Sequence, residues 1–492
     1  MEKKQPLGLE LPIAPHQSPR KRSGLVKLLL AATCAGAIVA RLQTGSWFPF
    51  DGSSGRVAAD EGAFEVAVDW NTFWDTLPTR PKLEYTPCFD RTPFGGPFQC
   101  ARLELPMDYW NGTTDATISL AIIRSPAVVP VTDPRYGGVI LLNPGGPGGS
   151  GIGFLRGSGD GIRKTVDVKE HKYYDLLSFD PRGVGETTPA VDCIKSPALD
   201  HAWQLRVMEE GIFEASDAAI GRLWAMSIAR SQSCSLPLSD GEPDIRKYVT
   251  TASVARDMLE IIERHGEWRE KEARRLLGCV TGVPSTLLYK SSEEKIQYWG
   301  FSYGTYLGNT FAAMFPDRVG RLIVDGVVDA YDYKKSLWSD NLLDTEKDLQ
   351  GLYYHCARAG YPACALANKT GITTAKGVED KVFNITYSLY HNPLPVISTS
   401  PEVITYSDVR NLIFAGAASL SMDATMAIAC SDGDDQSWVN RTTFEKYAKE
   451  QARVSPSVGS MWSAIRYVVT TRSLEATLEQ LFDAQNFFGV KC

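Results

Sequence analysis

Gly300-Phe301-Ser302-Tyr303-Gly304 sets a serine hydroxyl between a strand-like run, Ile296 to Trp299, and a helix-like run that ends at Pro316. Where a strand turns directly into a helix, the middle residue sits on a tight bend that lifts its hydroxyl clear of the sheet. Glycines on either side remove side chains that would collide there. The five residues alone also suit a Gly-rich turn with a solvated serine, and it is the flanking strand and helix that favour a nucleophile. Ser302 is therefore the expected nucleophile of an acyl transfer. The backbone N–H of Tyr303, the next residue, is an expected donor to the oxyanion.

A second chemical element, Asn143-Pro144-Gly145-Gly146-Pro147-Gly148-Gly149-Ser150-Gly151, follows a buried-strand pattern. A glycine loop here lets the backbone pass close to a substrate, with Gly145 beside it and the Gly146 N–H as the second oxyanion donor. The same stretch contains Gly146-x-Gly148-x-x-Gly151, which matches a dinucleotide-binding fingerprint. Against that reading, Pro147 removes a donor from the cradle, and Gly153, Gly157, Gly159 and Gly161 do not predict a clean helix. No cofactor is expected.

An acyl-transfer serine needs a base and an acid to orient it, and here the sequence is poor. His355 and His391 are the only histidines after Ser302. The first is expected on a helix and the second in a turn before Pro393, neither in the usual place for a base. Asp325, in Asp325-Gly326-Val327-Val328-Asp329, stands at the end of the strand after the elbow. Its default role is a strand-end cap, with a minor role as the acid over Ser302. Asp180, in Asp180-Pro181-Arg182-Gly183-Val184-Gly185, is expected to form a turn or to pair with Arg182.

The elements that must position these residues alternate. Thr117 to Ile123, Val139 to Leu142, Tyr174 to Phe179, Ile296 to Trp299 and Leu322 to Val324 read as strands, and Ala252 to His265 as a helix with Val254, Met258, Ile261 and Ile262 on one face. Such alternation predicts an α/β fold, a mainly parallel sheet with helices on both faces. From Tyr331 the period is helical. The chain has 492 residues, 43% hydrophobic and 22% charged, enough for a sizeable core, and its net charge of −7 gives no basic footprint for nucleic acid.

Basic residues from Lys3 to Lys27 precede an apolar run, Leu28 to Ala40, that Arg41 closes. At about 1.5 Å per residue the run covers only about 20 Å of a bilayer core about 30 Å thick. Extension over 24–42 lets Lys27 and Arg41 snorkel and makes a marginal span. An uncleaved signal anchor is favoured over a signal peptide cut near Ala35-Gly36-Ala37, because the polar segment ahead of it is long. Residues 1–23 are then a cytosolic basic tail and 43–79, with Gly52-Ser53-Ser54-Gly55, a stalk.

Cysteine usage agrees with a secretory destination. None of the nine cysteines beyond Cys34 forms a C-x-x-C pair, so disulfides are expected rather than a metal site. Cys88 with Cys100, Cys356 with Cys364 and Cys193 with Cys234 are the expected bridges, with Cys279 left over. Asn111, Asn368, Asn384 and Asn440 head N-x-T sequons and are glycosylation acceptors if lumenal.

Cys100 to Tyr109, Asn143 to Gly151, Phe179 to Gly185, Gly300 to Tyr306 and Asp325 to Asp329 together resemble the tripeptidyl aminopeptidase and prolyl iminopeptidase branch of the α/β-hydrolases. The resemblance runs from about Lys82 to Cys430. It implies an α/β-hydrolase core over 80–330 and a helical cap inserted after the strand that follows the elbow, with 331–466 holding the cap and the start of a C-terminal region. It also implies a secreted or lumenal serine peptidase that removes short peptides or single residues from free N-termini. Such an exopeptidase needs a cap carboxylate for the substrate ammonium. Asp340, Asp344, Glu346 and Asp348 cluster on the first cap segment, with Glu346 the favoured one of the four and a solvated helix face an equal alternative.

This family carries a catalytic aspartate and histidine beyond the cap, whereas here the similarity fades from Tyr467 to Cys492. Two function classes follow. One is a serine hydrolase of peptides or small esters, inactive or slow as written; the other is a catalytically dead hydrolase fold on a membrane stalk that captures peptides or mediates adhesion. The sequence leaves oligomeric state open. Expressed in eukaryotic cells, the protein is expected to lose mass with an N-glycosidase and to resist carbonate extraction. Recovery in the soluble fraction with a new N-terminus near Ile38 would establish cleavage instead.

Overall fold

The structure is a computed structural model that describes residues 72–91, 97–112, 114–238, 243–278, 282–414, 422–436 and 438–470. Eight strands form one sheet: β1 (Thr79–Arg80), β2 (Thr86–Arg91), β3 (Pro97–Pro106), β4 (Thr117–Ser125), β5 (Tyr136–Asn143), β6 (Tyr173–Phe179), β7 (Ile296–Phe301) and β8 (Val319–Asp325). Their order is β1-β3-β4-β6-β5-β7-β8, with β2 also on β3. The β6-β5-β7-β8 half is parallel, and the pairings β2-β3, β3-β4 and β4-β6 are antiparallel.

Central strands are apolar throughout because both faces are covered. On β4, Leu120 and Ile122 face one core while Ala121 and Ile123 face the other. The first core takes Val254, Met258 and Ile261 from the helix Thr251–Leu277, with Leu307 and Phe311 from the helix Tyr303–Met314. Ile152, Leu155 and Ile162 of the helix Gly151–Val166 pack in the second. Phe73, Trp74 and Leu77 are buried there too, so the folded body reaches back into the segment read as stalk.

Two helices depart from expectation. Thr251–Leu277 starts at the Thr250 cap, as the patterning suggests, but runs well past His265. Its apolar stripe gives way to ion pairs one turn apart, Arg264 with Glu260 and Arg274 with Glu270, and Gly278 at φ +65° closes it. The glycine-rich stretch after Ser150 does form a clean helix, contrary to its propensity. Ser150 Oγ caps it by accepting the Gly153 N–H at 3.0 Å, and a Cβ on Gly151 would lie 2.1 Å from the Phe179 carbonyl oxygen. Close packing on β6 outweighs the glycine cost.

After β8 the chain is helical: Ala330–Lys334, Thr345–Ala359, Ala375–His391, Tyr406–Phe414, Met422–Asp432, Arg441–Val454 and Gly459–Thr470, with a short antiparallel pair, Leu394–Val396 and Glu402–Ile404. Disulfides join Cys88 to Cys100, Cys193 to Cys234 and Cys356 to Cys364. The sequon asparagines Asn111, Asn368, Asn384 and Asn440 are all exposed. Residues 68–396 and 402–492 group as one compact unit and 1–67 with 397–401 as another. Of the second, only 397–401 is described, and there the Ser400 N–H donates to Ser398 Oγ at 3.1 Å. The basic tail, the proposed anchor, residues 43–71 of the stalk, the tail beyond 470 and Cys279 lie outside the described residues. No helix among the described residues is long and apolar enough to cross a membrane.

Arg182 does not pair with Asp180. Fully buried, it forks onto Asp257 of the long helix, with Nε–Oδ2 at 2.8 Å and Nη2–Oδ1 at 2.6 Å, and also donates to the carbonyls of Met107 and Tyr248. Tyr109 donates to the same carboxylate at 2.7 Å, and burial together with Asp257 holds the phenol protonated. The pair bolts the loop after β6 to the helix over the sheet. Removing one partner of a buried pair strands the other charge, so Asp257→Ala is expected to cost about 3–5 kcal/mol. A denaturation midpoint lowered at constant slope would report it; a loss below about 1 kcal/mol would mean that water solvates Arg182.

Candidate active site

Ser302 is exposed and sits at φ 53°, ψ −124° between β7 and the helix Tyr303–Met314. A non-glycine residue there costs of order 1–3 kcal/mol and persists only when its surroundings fix it. Its N–H donates to the Asp325 carbonyl at the end of β8 at 2.9 Å. Its own carbonyl accepts from the Thr305 N–H at 2.8 Å and from Thr305 Oγ1 at 2.6 Å. Thr305 Oγ1 in turn accepts the Val328 N–H at 3.0 Å, tying the bend to the loop after β8.

The glycines of both motifs are required by contact. A Cβ on Gly300 would lie 2.3 Å from the Gly304 carbonyl oxygen. At Gly145, where φ is +90°, a Cβ would lie 2.3 Å from the Phe301 carbonyl oxygen and 2.9 Å from the Tyr303 nitrogen. The glycine loop therefore lies directly against the elbow. Asn143 Oδ1 accepts the Gly145 N–H at 2.9 Å, which takes that amide out of play. No acceptor meets the Gly146 N–H among the described residues, and the Tyr303 N–H opens a helix, where amides lack intrahelical acceptors.

The helix after this loop restores the strand-loop-helix context of a dinucleotide site, yet its N-terminus is already occupied. Asp180 Oδ1 accepts Ser150 Oγ–H at 2.7 Å and the Ile152 N–H at 3.0 Å, while Oδ2 accepts the Glu186 N–H at 2.8 Å. A protein carboxylate thus stands where a pyrophosphate would bind. Gly185 must lack a side chain, because a Cβ would lie 2.1 Å from Asp180 Oδ2. Both glycine signatures serve this one buried acid.

Tyr303 carries a feature that the sequence does not show. Its side chain is buried, and its hydroxyl is hydrogen-bonded to Thr251 Oγ1. Thr251 is bonded through both its N–H, at 2.9 Å, and its hydroxyl to Asp432, which also accepts from the Tyr333 hydroxyl at 3.0 Å. Burial raises the Asp432 carboxyl to about 6, against the three hydrogen bonds that favour its charged form. In Cys430-Ser431-Asp432-Gly433-Asp434-Asp435 this residue looks like one more acid of a solvated turn, and no local signal separates it from its neighbours.

The other expected site residues are not brought to Ser302. His355 is exposed on Thr345–Ala359, its ring against Tyr354. His391 is not in a turn: it ends the helix Ala375–His391, exposed, between the rings of Tyr387 and Tyr390. Asp325 contributes its carbonyl to the elbow while its side chain is exposed. Among the described residues nothing is hydrogen-bonded to Ser302 Oγ. The buried His265 lies near Asp175, whose strand partner is Val139, four positions before the loop at Asn143; burial lowers this histidine to about 3, and it stays neutral. Glu346 is occupied structurally, accepting Ser455 Oγ–H at 2.8 Å, the Ser457 N–H at 2.9 Å and Ser457 Oγ–H at 3.0 Å. Its neighbour Asp348 instead lines a cleft of about 250 Å³ with Leu342, Leu349, Phe414 and Trp462.

The strand order, the strand-turn-helix serine and the glycine loop against it define the α/β-hydrolase fold. Over 256 residues the chain is 30% identical to the serine protease Hip1 of Mycobacterium tuberculosis, covering 51% of this chain and 41% of that protein. It is 30% identical over 261 residues to the tripeptidyl aminopeptidase of Streptomyces lividans, covering 52% and 40%. A third relative, carboxylesterase B of Mycobacterium tuberculosis, is 34% identical over 161 residues, covering 32% and 28%. The chain thus spans about two-fifths of the length of the first two relatives. No family model matches. Among solved structures, a juvenile hormone epoxide hydrolase from the silkworm Bombyx mori aligns over 72% of this chain and 56% of that one at 10% identity and a TM-score of 0.24. A probable hydrolytic enzyme from Pseudomonas aeruginosa PAO1 aligns over 73% and 84% at 11% identity and a TM-score of 0.25.

Glycines of the two kinds separate by substitution. Gly145→Ala is expected to lower stability by about 1–3 kcal/mol because the loop must leave the elbow. Gly157→Ala, within the helix and with no atom near its added Cβ, is expected to raise stability by about 0.5–1 kcal/mol. Thermal melts of the two variants check this; equal shifts would refute the contact between loop and elbow.

Proposed function

We propose that the chain is a serine hydrolase acting through Ser302, with an exopeptidase-like preference for free N-termini. The observation that carries this reading is the exposed serine at φ 53° with a glycine loop packed on its helix N-terminus. Ser302 Oγ attacks the carbonyl, and the negative charge that develops on its oxygen meets the N–H groups of Tyr303 and Gly146. Collapse expels the amine or alcohol, which takes up the proton given up by Ser302 by way of water at this exposed site, and leaves an acyl-enzyme that a second water hydrolyses. Thr305 and the Asp325 carbonyl hold the nucleophile in place. Similarity to a serine protease and to an aminopeptidase supports the peptidase class.

The proton of Ser302 has no hydrogen-bonded histidine or carboxylate to receive it among the described residues. Loss of the triad base costs about a million-fold, while the oxyanion hole and binding retain about a thousand- to ten-thousand-fold over water. Turnover by this chain is accordingly slow. A dead hydrolase fold that captures peptides is the second reading, favoured by that same unpartnered hydroxyl. With Glu346 engaged, Asp348 is the member of that acidic cluster that lines an apolar cleft, and it is the carboxylate assigned to a substrate ammonium. We further propose that the folded body lies on the oxidising side of a membrane; three disulfides and four exposed sequon asparagines support this.

Fluorophosphonate is expected to label the protein slowly, and Ser302→Ala to abolish labelling. Peptides with free N-termini should be cleaved and their acetylated forms spared, a preference that Asp348→Asn should reduce. Absence of any label on Ser302 supports the capture reading. Equal rates on free and blocked peptides, or a preference for simple esters, would move the assignment to an esterase.

A further inference from the structure

Tyr303 has two ends: its N–H faces the site on the reading above, and its ring enters a buried cluster with Tyr306 and Tyr333 at centroid distances of 6.2 and 5.6 Å. Proton directions in that cluster are fixed by counting. Asp432 Oδ1 accepts the Thr251 N–H, and Oδ2 accepts the hydroxyls of Thr251 and Tyr333. Thr251 has one hydroxyl proton and gives it to Asp432, so the Tyr303 hydroxyl must donate to Thr251 Oγ1. The relay has one polarity, Tyr303 to Thr251 to Asp432, with Tyr333 entering from the other side.

We propose that Asp432 is a positioning residue for the oxyanion donor: its ionised carboxylate, held on the helix Met422–Asp432, fixes Tyr303 through Thr251, and its protonation releases the elbow. The proposal rests on the reading of Tyr303 as oxyanion donor. Three donors occupy three of the roughly four lone-pair sites of the ionised carboxylate, and a proton on it removes the charge they were paired with and adds a donor. One bond of the relay must then turn or open to take that proton, since a buried donor without an acceptor is costly. The titratable groups facing Asp432 are Tyr303, Tyr306 and Tyr333, all held protonated by burial, so none supplies a compensating positive charge.

The sign of the pH effect separates this role from a structural one. Asp432 titrates near 6, above the ordinary carboxylate value of 3.8, so the folded state holds its proton more tightly than the unfolded chain does. Its contribution to stability is present below about 3.8 and is lost as pH rises through about 6. Acidification thus stabilises the fold through this residue while opening the relay to Tyr303. A role in folding alone would leave the elbow as tight as the fold.

The test uses the full chain as wild type, Asp432→Asn, Tyr303→Phe, Thr251→Val and the double variant Asp432→Asn/Tyr303→Phe. Amide hydrogen exchange over residues 300–307 reads the position of the donor without requiring activity. Between pH 7.5 and pH 5, after correction for intrinsic rates, wild-type exchange there is expected to rise about tenfold, with β4 unchanged. Each single variant should show that faster exchange already at pH 7.5, and the double variant should add nothing further, because all act on one relay. Fluorophosphonate labelling of Ser302 should fall as wild type is taken through pH 6, and this acid limb should be absent in Asp432→Asn. Unchanged exchange in a folded Asp432→Asn, or additive effects in the double variant, overturns the proposal; if Asp432→Asn does not fold, Thr251→Val and Tyr303→Phe decide by the same exchange criterion. Failure of the wild type to label overturns the hydrolase reading alone and leaves the positioning to the exchange data.

Discussion

A serine held at φ 53° is the constraint around which the rest of this molecule is arranged. Such a backbone would relax if any of its supports were missing, and three strands must end at the same level to supply them. Asn143 is paired with Gly300 across β5 and β7, and Phe301 with Asp325 across β7 and β8. Parallel pairing brings these C-terminal ends together, which is why the glycine loop, the elbow and the Asp325 carbonyl meet at one edge of the sheet. A one-residue slip in β8 would remove the acceptor for the Ser302 N–H and turn its apolar residues to the other face.

Buried carboxylates hold this edge to the layers around it. Asp180 fastens the glycine-loop helix to the end of β6, Asp257 fastens the following loop to the long helix through Arg182, and Asp432 fastens that helix and the elbow to the helical region beyond β8. Each accepts at least three hydrogen bonds from protein groups, which is the condition for keeping an acid away from water. Their electrostatics differ. Asp257 faces a guanidinium, whereas Asp180 and Asp432 have only neutral donors and are pushed upward by burial. Of the three, Asp432 is linked through Thr251 to Tyr303, the residue after Ser302.

Residue spacing made the alternation of strands and helices, the strand-to-helix bend at Ser302, the glycine loop and the local disulfides legible, because each depends on a few adjacent residues whose backbone demands are strong. The helix after Ser150 was not legible: its glycines argue against helix, and only the 2.1 Å approach of Gly151 to β6 shows why they are there. Nor was the partner of Arg182, since Asp180 is two residues away and Asp257 lies 75 residues further along the chain.

What the sequence determined by itself was the exposure of Ser302, because a strand, a bend and a helix are enough to present a serine. Tertiary structure decided where each carboxylate is placed. Glu346 and Asp348 stand two residues apart on one helix, yet the first caps the Ser455–Ser457 turn and the second lines a cleft. Asp432 looks like its acidic neighbours until the fold carries it to Thr251, 181 residues away in the chain. Composition records that an acid is present; burial and the donors that converge on it decide its charge and its use, and those are properties of packing between distant segments.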